Sequence, residues 1–157
     1  MKIFLNHNNY LNNLSDYTFD NFIAIDSNKE SKQIAMNFAS NKTIFNTLVI
    51  SSTIGNGATH LACAIMNEVK RNELNNHECL FVSFETLVRH VLKNGELQKD
   101  YLNKHYIVTI DSYHNWNNKL SKYLISTLKN LKIKIIITCS EFTDVPVEHF
   151  RINLSNP

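Results

Sequence analysis

The feature that most constrains this chain is an alternation of two rhythms. Four short apolar runs, 47-TLVIS-51, 79-CLFVS-83, 106-YIVTI-110 and 133-IKIIIT-138, are rich in β-branched and aromatic residues and mostly continuous. Continuity of that kind suits strands covered on both faces, as in a parallel sheet. Between the runs, apolar residues recur at helical spacing: Leu61, Ile65 and Val69, then Leu87, Val88 and Val91, then Leu120, Leu124 and Leu128. Strands alternating with helices predict βαβ crossovers and a three-layer α/β/α sandwich. A further strand is expected at 150-FRINL-154, and a helix at 28-NKESKQIAMNFA-39 with Ile34 and Phe38 on one face. The 157 residues are the size of one domain, so a single core spanning 1–157 is expected, with the Asn-rich first 14 residues mobile.

Composition removes several classes of function. The formal net charge of +2 comes from lysines spread along the chain, without the dense basic stripe of a nucleic-acid surface. Direct sequence-specific DNA binding is therefore not expected. Cys63, Cys79 and Cys139 fall in apolar segments without C-x-x-C pairing, which predicts buried thiols in a reducing compartment. The start has no apolar signal region, and no segment reaches the roughly 18 apolar residues of a membrane span. A cytoplasmic protein with no membrane association is expected.

The stretch 52-STIGNGATHLACAI-65 has the outline of a phosphate-binding loop between a strand and a helix. In the pattern G-x-x-x-x-G-K-[ST], backbone N–H groups and the helix N-terminus wrap phosphates, the lysine neutralises them and the hydroxyl serves Mg²⁺. Aligned to it, Ser52 takes the first glycine position, Gly57 the second, Ala58 the lysine and Thr59 the hydroxyl. Gly55 and Gly57 still permit the sharp turn, but alanine offers no ammonium to a triphosphate. The third apolar run ends at Asp111, the place of a magnesium-site carboxylate, followed by Ser112 where an acidic residue would polarise the attacking water. The fourth leads into 138-TCSE-141, where Thr138 or Ser140 would approach a γ-phosphate.

Other residues invite functional readings beside plainer ones. His60 and His114 flank the loop and Asp111, so they could meet above the sheet as ligands or as replacement charge; the plainer alternative is a polar helix residue and a polar loop residue. Tyr113 and Trp116 would form an exposed aromatic contact if their loop points outward, or Trp116 would pack under the next helix. Lys42 is a conceivable stand-in for the lost lysine. Arg151 lies in an expected strand, which favours a structural role over an arginine finger.

Taken together, 17-YTFDNFIAIDSNKESKQIAMNFA-39, 46-NTLVISSTIGNGATHLACAIMNEV-69, 81-FVSFETLV-88, 107-IVTIDSYHNW-116 and 133-IKIIITCSE-141 resemble the AAA+ core of the bacterial replication initiator DnaA and, more distantly, the helicase loader DnaC. The likeness covers about residues 15 to 145. YTFDNF with Ser-Asn five residues on, and Thr-His-Leu after the loop, are its more specific parts. The resemblance implies a P-loop NTPase fold with five parallel strands in the order 5-1-4-3-2, ATP at the loop, and work in oligomers that load or regulate a replicative helicase. It also implies a small helical lid and DNA-binding helices, and the chain stops near where that lid would begin. With Ala58 and Ser112 in place of catalytic residues, Gly55, Gly57, Thr59 and Asp111 are read as a vestigial nucleotide site. No catalytic residue, metal site or resident cofactor is expected, and weak ADP or ATP binding stays open. The expected function is a protein-binding module in replication initiation or its regulation, with another AAA+ replication protein or the replicative helicase as partner. A divergent ATPase of the DnaA and DnaC type is the alternative, and a remnant fold with an unrelated partner is a third.

Overall fold

The computed structural model describes residues 14–72, 78–114, 118–146 and 148–154. The expected mobile start, up to residue 13, and Trp116 lie outside the described residues. Leu14, counted with that start, opens a short 3-10 turn, Leu14–Asp16. The elements follow the expected alternation: α1 (Lys29–Ala39), β1 (Thr47–Ser52), α2 (Ala58–Asn72), β2 (Glu78–Ser83), α3 (Phe84–Asn94), α4 (Lys99–Leu102), β3 (His105–Tyr113), α5 (Asn118–Asn130), β4 (Lys134–Ser140) and β5 (Phe150–Leu154). All four strand pairings are parallel and the order is β2-β3-β4-β1-β5. That is the expected 5-1-4-3-2 order read from the other edge.

The two faces of the sheet carry separate cores, because successive side chains of a strand point to opposite faces. On one face Leu48 and Ile50 of β1, Ile136 of β4 and Ile152 of β5 pack with Ala35 and Phe38 of α1 and Leu61, Ile65 and Val69 of α2. On the other, Val49, Val108, Ile110, Ile135 and Ile137 pack with Leu87, Val88 and Val91 of α3 and Leu124, Ile125 and Leu128 of α5. Burial on both sides is why these runs read as continuously apolar. Of the three free thiols Cys63 and Cys139 are buried, whereas Cys79 is only half-buried, near the start of the edge strand β2.

Register places the chemistry at one edge. Ser52 pairs with Ser140 and with Leu154, Ser83 with Asp111, and Tyr113 with Cys139. All these positions lie at the carboxyl ends of their strands, where open α/β sheets hold their ligands. Strand β3 runs past the expected end at residue 110 as far as Tyr113, with an irregularity in its pairing to β4 between Ile110 and Tyr113. The irregularity surrounds Ser112, which has φ 58, a left-handed conformation uncommon for a residue with a side chain.

Candidate functional site

The loop from β1 to α2 turns on its glycines. Gly55 and Gly57 have φ 87 and φ 90, a region that glycine enters without steric cost. Asn56 N–H donates to Thr53 O at 3.3 Å, and its side-chain amide donates to Thr53 Oγ1 at 2.5 Å. Gly57 has a second constraint, since a Cβ there would sit 3.0 Å from Cε2 of the buried Phe22. Leu61 N–H then donates to Gly57 O at 2.9 Å, opening α2. The first-turn N–H groups of a helix lack partners within it, and Gly57, Ala58 and Thr59 line a cavity of about 540 Å³ at this edge.

Behind the cavity wall lies a clasp of hydroxyls around one carboxylate. Thr59 Oγ1 donates to Asp111 Oδ1 at 2.9 Å, Thr138 Oγ1 donates to the same oxygen at 2.7 Å, and Ser112 Oγ donates to Oδ2 at 3.2 Å. Ser112 N–H in turn donates to Thr138 Oγ1 at 2.9 Å. Asp111 is 2% exposed and is not among the residues lining the cavity. A buried carboxylate needs such bonds to replace its hydration. The clasp joins α2, β3 and β4 and holds Ser112 in its left-handed turn. Burial, with the Asp111 carboxylate second and Lys70 opposing, pushes the Cys63 thiol up to about 12.

Of the residues singled out from sequence, Gly55, Gly57 and Thr59 line the cavity, and Asp111 reaches it only through the hydroxyls of Thr59, Thr138 and Ser112. Thr138, named in the sequence only as one of two alternatives, is the hub of the clasp, while Ser140 Oγ pairs with Thr143 Oγ1. Nothing in a strand end reading Thr-Cys-Ser says which hydroxyl turns inward; the pairing of β4 with β3 decides it.

His60 and His114 both line the cavity, in different settings. His60 Nε2 lies 3.1 Å from Thr18 O and 3.0 Å from Asn21 Oδ1, and its ring packs on Tyr17 and Phe22. It thus ties the loop to the entry segment. His114 packs edge-on against Phe84. No group of three metal-ligating side chains occurs among the described residues.

Two expectations change. Tyr113 is not an exposed contact but a buried one, 2% exposed and edge-on to Phe84, because β3 continues through it. Lys42 precedes the amino end of β1, and the strand's six residues at about 3.3 Å each separate that end from the loop. It therefore cannot supply the missing ammonium. Among the described residues, no lysine or arginine lines the cavity. Arg151 is spent on backbone, donating from Nη2 to Thr143 O at 2.6 Å and from Nη1 to Glu141 O at 3.5 Å, which agrees with a structural role. Exposed apolar side chains stand near the mouth instead: Ile54 on the loop and Phe142 beyond β4, at 104% and 93% exposure.

Known proteins share this architecture. The family description for the bacterial DnaA ATPase domain matches residues 13–141. The chromosomal replication initiator protein DnaA of Treponema pallidum is 32% identical over 154 residues, covering 90% of this chain and 32% of the relative. That of Mesoplasma florum is 36% identical over 86 residues, covering 52% of this chain and 19% of the relative. The chain spans about a third of the length of the treponemal relative. Domain III of the Thermotoga maritima replication initiation protein DnaA superposes with a TM-score of 0.74 at 27% identity, covering 90% of this chain and 68% of that one. The DnaC helicase loader shares the fold, with a TM-score of 0.63 at 18% identity over 83% of this chain and 80% of its own. Among the described residues no helix is long and apolar enough to cross a membrane. With the family description spanning most of the chain and the treponemal relative aligned over nine-tenths of it, the chain belongs to the family of the bacterial DnaA ATPase domain.

Proposed function

We propose that this chain is a DnaA-type AAA+ core whose nucleotide site is vestigial, and that it acts in replication initiation or its regulation as a protein-binding module. Its partner in this reading is another AAA+ replication protein or the replicative helicase. The observation that carries the proposal is the charge at the cavity: Ala58 stands at the lysine position and no lysine or arginine lines the wall among the described residues. One charge pair at 4 Å is worth roughly 4 kcal/mol at an effective dielectric of about 20, so its loss costs on the order of a thousandfold in affinity.

The fit to a nucleotide is partial. The glycine turn, the helix N-terminus, Thr59 and Asp111 are of the types that hold phosphates and Mg²⁺, and these residues would be its contacts if one bound. A cation at Asp111 would have to replace the hydroxyl protons that now occupy both its oxygens. Ser112, unlike a carboxylate, offers no base for an attacking water. The exposed Ile54 and Phe142 support a contact role for this edge. The alternative, a divergent ATP- or ADP-binding ATPase, draws on the same glycine turn and on the Thr59–Asp111 contact.

A titration with labelled ADP and ATP in the presence of Mg²⁺ separates the two. The proposal expects no saturable binding at millimolar nucleotide, no rise in melting temperature, and hydrolysis no faster than buffer. Turnover abolished by Asp111→Asn would establish the ATPase instead. For the partner, co-elution on size exclusion with purified replicative helicase, or with full-length DnaA from the same source, is expected in one of the two mixtures. Separate elution in both rejects the named partners.

A further inference from the structure

The chain contains two Asn-Gly pairs, Asn56–Gly57 in the loop and Asn94–Gly95 after α3, and the fold treats them in opposite ways. We propose that Asn56 is a site of spontaneous deamidation, which converts a neutral loop tip into an anionic one, and that the fold spares Asn94. The reaction needs only water. The backbone nitrogen of Gly57, its proton lost to solvent base, attacks Cγ of Asn56; the N–Cγ bond forms, the Cγ–Nδ2 bond breaks and ammonia leaves with a solvent proton. Water then opens the cyclic imide at either carbonyl to give aspartate or isoaspartate. No electron changes hands, and a glycine at the following position leaves the attacking nitrogen uncrowded by any Cβ.

Asn56 is accessible, and its bonding makes it the reactive member. It is half-exposed on a loop whose neighbours Ile54 and Gly55 are exposed. Gly57 N–H makes no hydrogen bond to a described residue, so the attacking nitrogen is not committed. Its side chain is held within the loop alone, by the contact of Nδ2 with Thr53 Oγ1.

Asn94 is itself exposed, and it differs in its bonding. It is the last residue of α3, its Nδ2 donates to His90 O at 2.9 Å and lies 3.2 Å from His90 Nδ1. Gly95 N–H donates to Val91 O at 2.7 Å as the helix's left-handed cap. Attack there requires the helix end to open first, and local opening has its own free-energy cost.

The product changes the cavity's chemistry. A carboxylate on residue 56 lies beside a wall that holds no lysine or arginine among the described residues, and it lowers the formal net charge from +2 to +1. Phosphates are repelled further, and the contact face around Ile54 becomes acidic. The chemistry itself does not depend on the binding-module proposal.

The test follows both asparagines in the full chain. The folded protein is held at mildly alkaline pH, samples are quenched in acid and digested with pepsin, and the peptides are weighed. Isoaspartate is confirmed by enzymatic methylation. Asn56 is expected to convert at least about tenfold faster than Asn94, a barrier difference of about 1.4 kcal/mol, and the two rates are expected to converge in denaturant. Equal rates in the folded chain overturn the proposal, as does a difference that persists in denaturant, since the fold would then not be the selector. Asn56→Gln gives a second readout: the acidic species that accumulates on isoelectric focusing should vanish, and its persistence would place the reaction elsewhere.

Discussion

Ala58 separates lost charge from lost shape, because a single side chain tests one without touching the other. If the turn at Gly55 and Gly57 still presents backbone N–H groups to the cavity, Ala58→Lys adds the ammonium to a site where the helix N-terminus and Thr59 are already placed. Calorimetry should then detect ADP or ATP binding that the unmodified chain lacks. Hydrolysis should stay absent, since Ser112 remains where a base is needed and an arginine finger, where one acts, contributes factors of about 10³ to 10⁵. No binding at millimolar nucleotide would mean that the clasp of Thr59, Thr138 and Ser112 on Asp111 has closed the site.

At the scale of elements, the turn that starts α2 depends on its two glycines unequally. Both hold positive φ, so an alanine at either costs about 1–2 kcal/mol of backbone strain. At Gly55 nothing lies within 4 Å of the added Cβ, whereas at Gly57 it meets the Phe22 ring at 3.0 Å. Phe22 is 5% exposed and packs edge-on against His60, so it has little room to retreat. Overpacking of that kind costs about 1–3 kcal/mol more. Gly57→Ala should therefore melt several degrees below Gly55→Ala, at roughly 2–4 °C per kcal/mol for a chain of this size. Adding Phe22→Leu should recover the excess in Gly57→Ala and not in Gly55→Ala. Equal melting of the two alanine variants would show that the Phe22 contact carries no weight.

The strands and long helices were legible because β1, β3 and β4 are buried on both faces and α2, α3 and α5 on one, so burial is written in the rhythm of the sequence. The glycine turn was legible for the same local reason. What the sequence hid depends on tertiary placement. The pairing irregularity that puts Ser112 at φ 58 and turns Tyr113 inward is fixed by β4, a neighbour 26 residues away at Thr138. Asp111 reads as a site carboxylate, yet its withdrawal behind three hydroxyls follows from the meeting of α2, β3 and β4. Lys42 is close to the loop in sequence but at the other end of the strand.

Over the whole molecule, two cores share one sheet, so a buried group that resists ionisation in either core should weaken the entire fold as pH moves. On the α3 side, burial above all, with Lys93 a lesser contributor, holds the His90 imidazole below its ordinary 6.5. Below pH 6.5 the unfolded chain binds a proton that folded His90 refuses. Its contribution is thus intact above that value and is lost as pH falls. On the α2 side the sign reverses, because Cys63 is raised from 9.0 to about 12. Between those values the unfolded thiol gives up a proton that the folded one keeps, so stability is full below pH 9.0 and declines as pH rises toward 12. Urea midpoints measured across pH should therefore bend down at both ends. His90→Gln should make the acid limb alone shallower and Cys63→Ala the alkaline limb alone, where the Cys139 thiol and Tyr113 phenol, both also raised by burial, keep part of the slope; the Cys63 variant, which leaves a small cavity, should be weaker at every pH. An alkaline limb that survives Cys63→Ala unchanged would remove Cys63, and with it the influence of the neighbouring Asp111 carboxylate, as its cause.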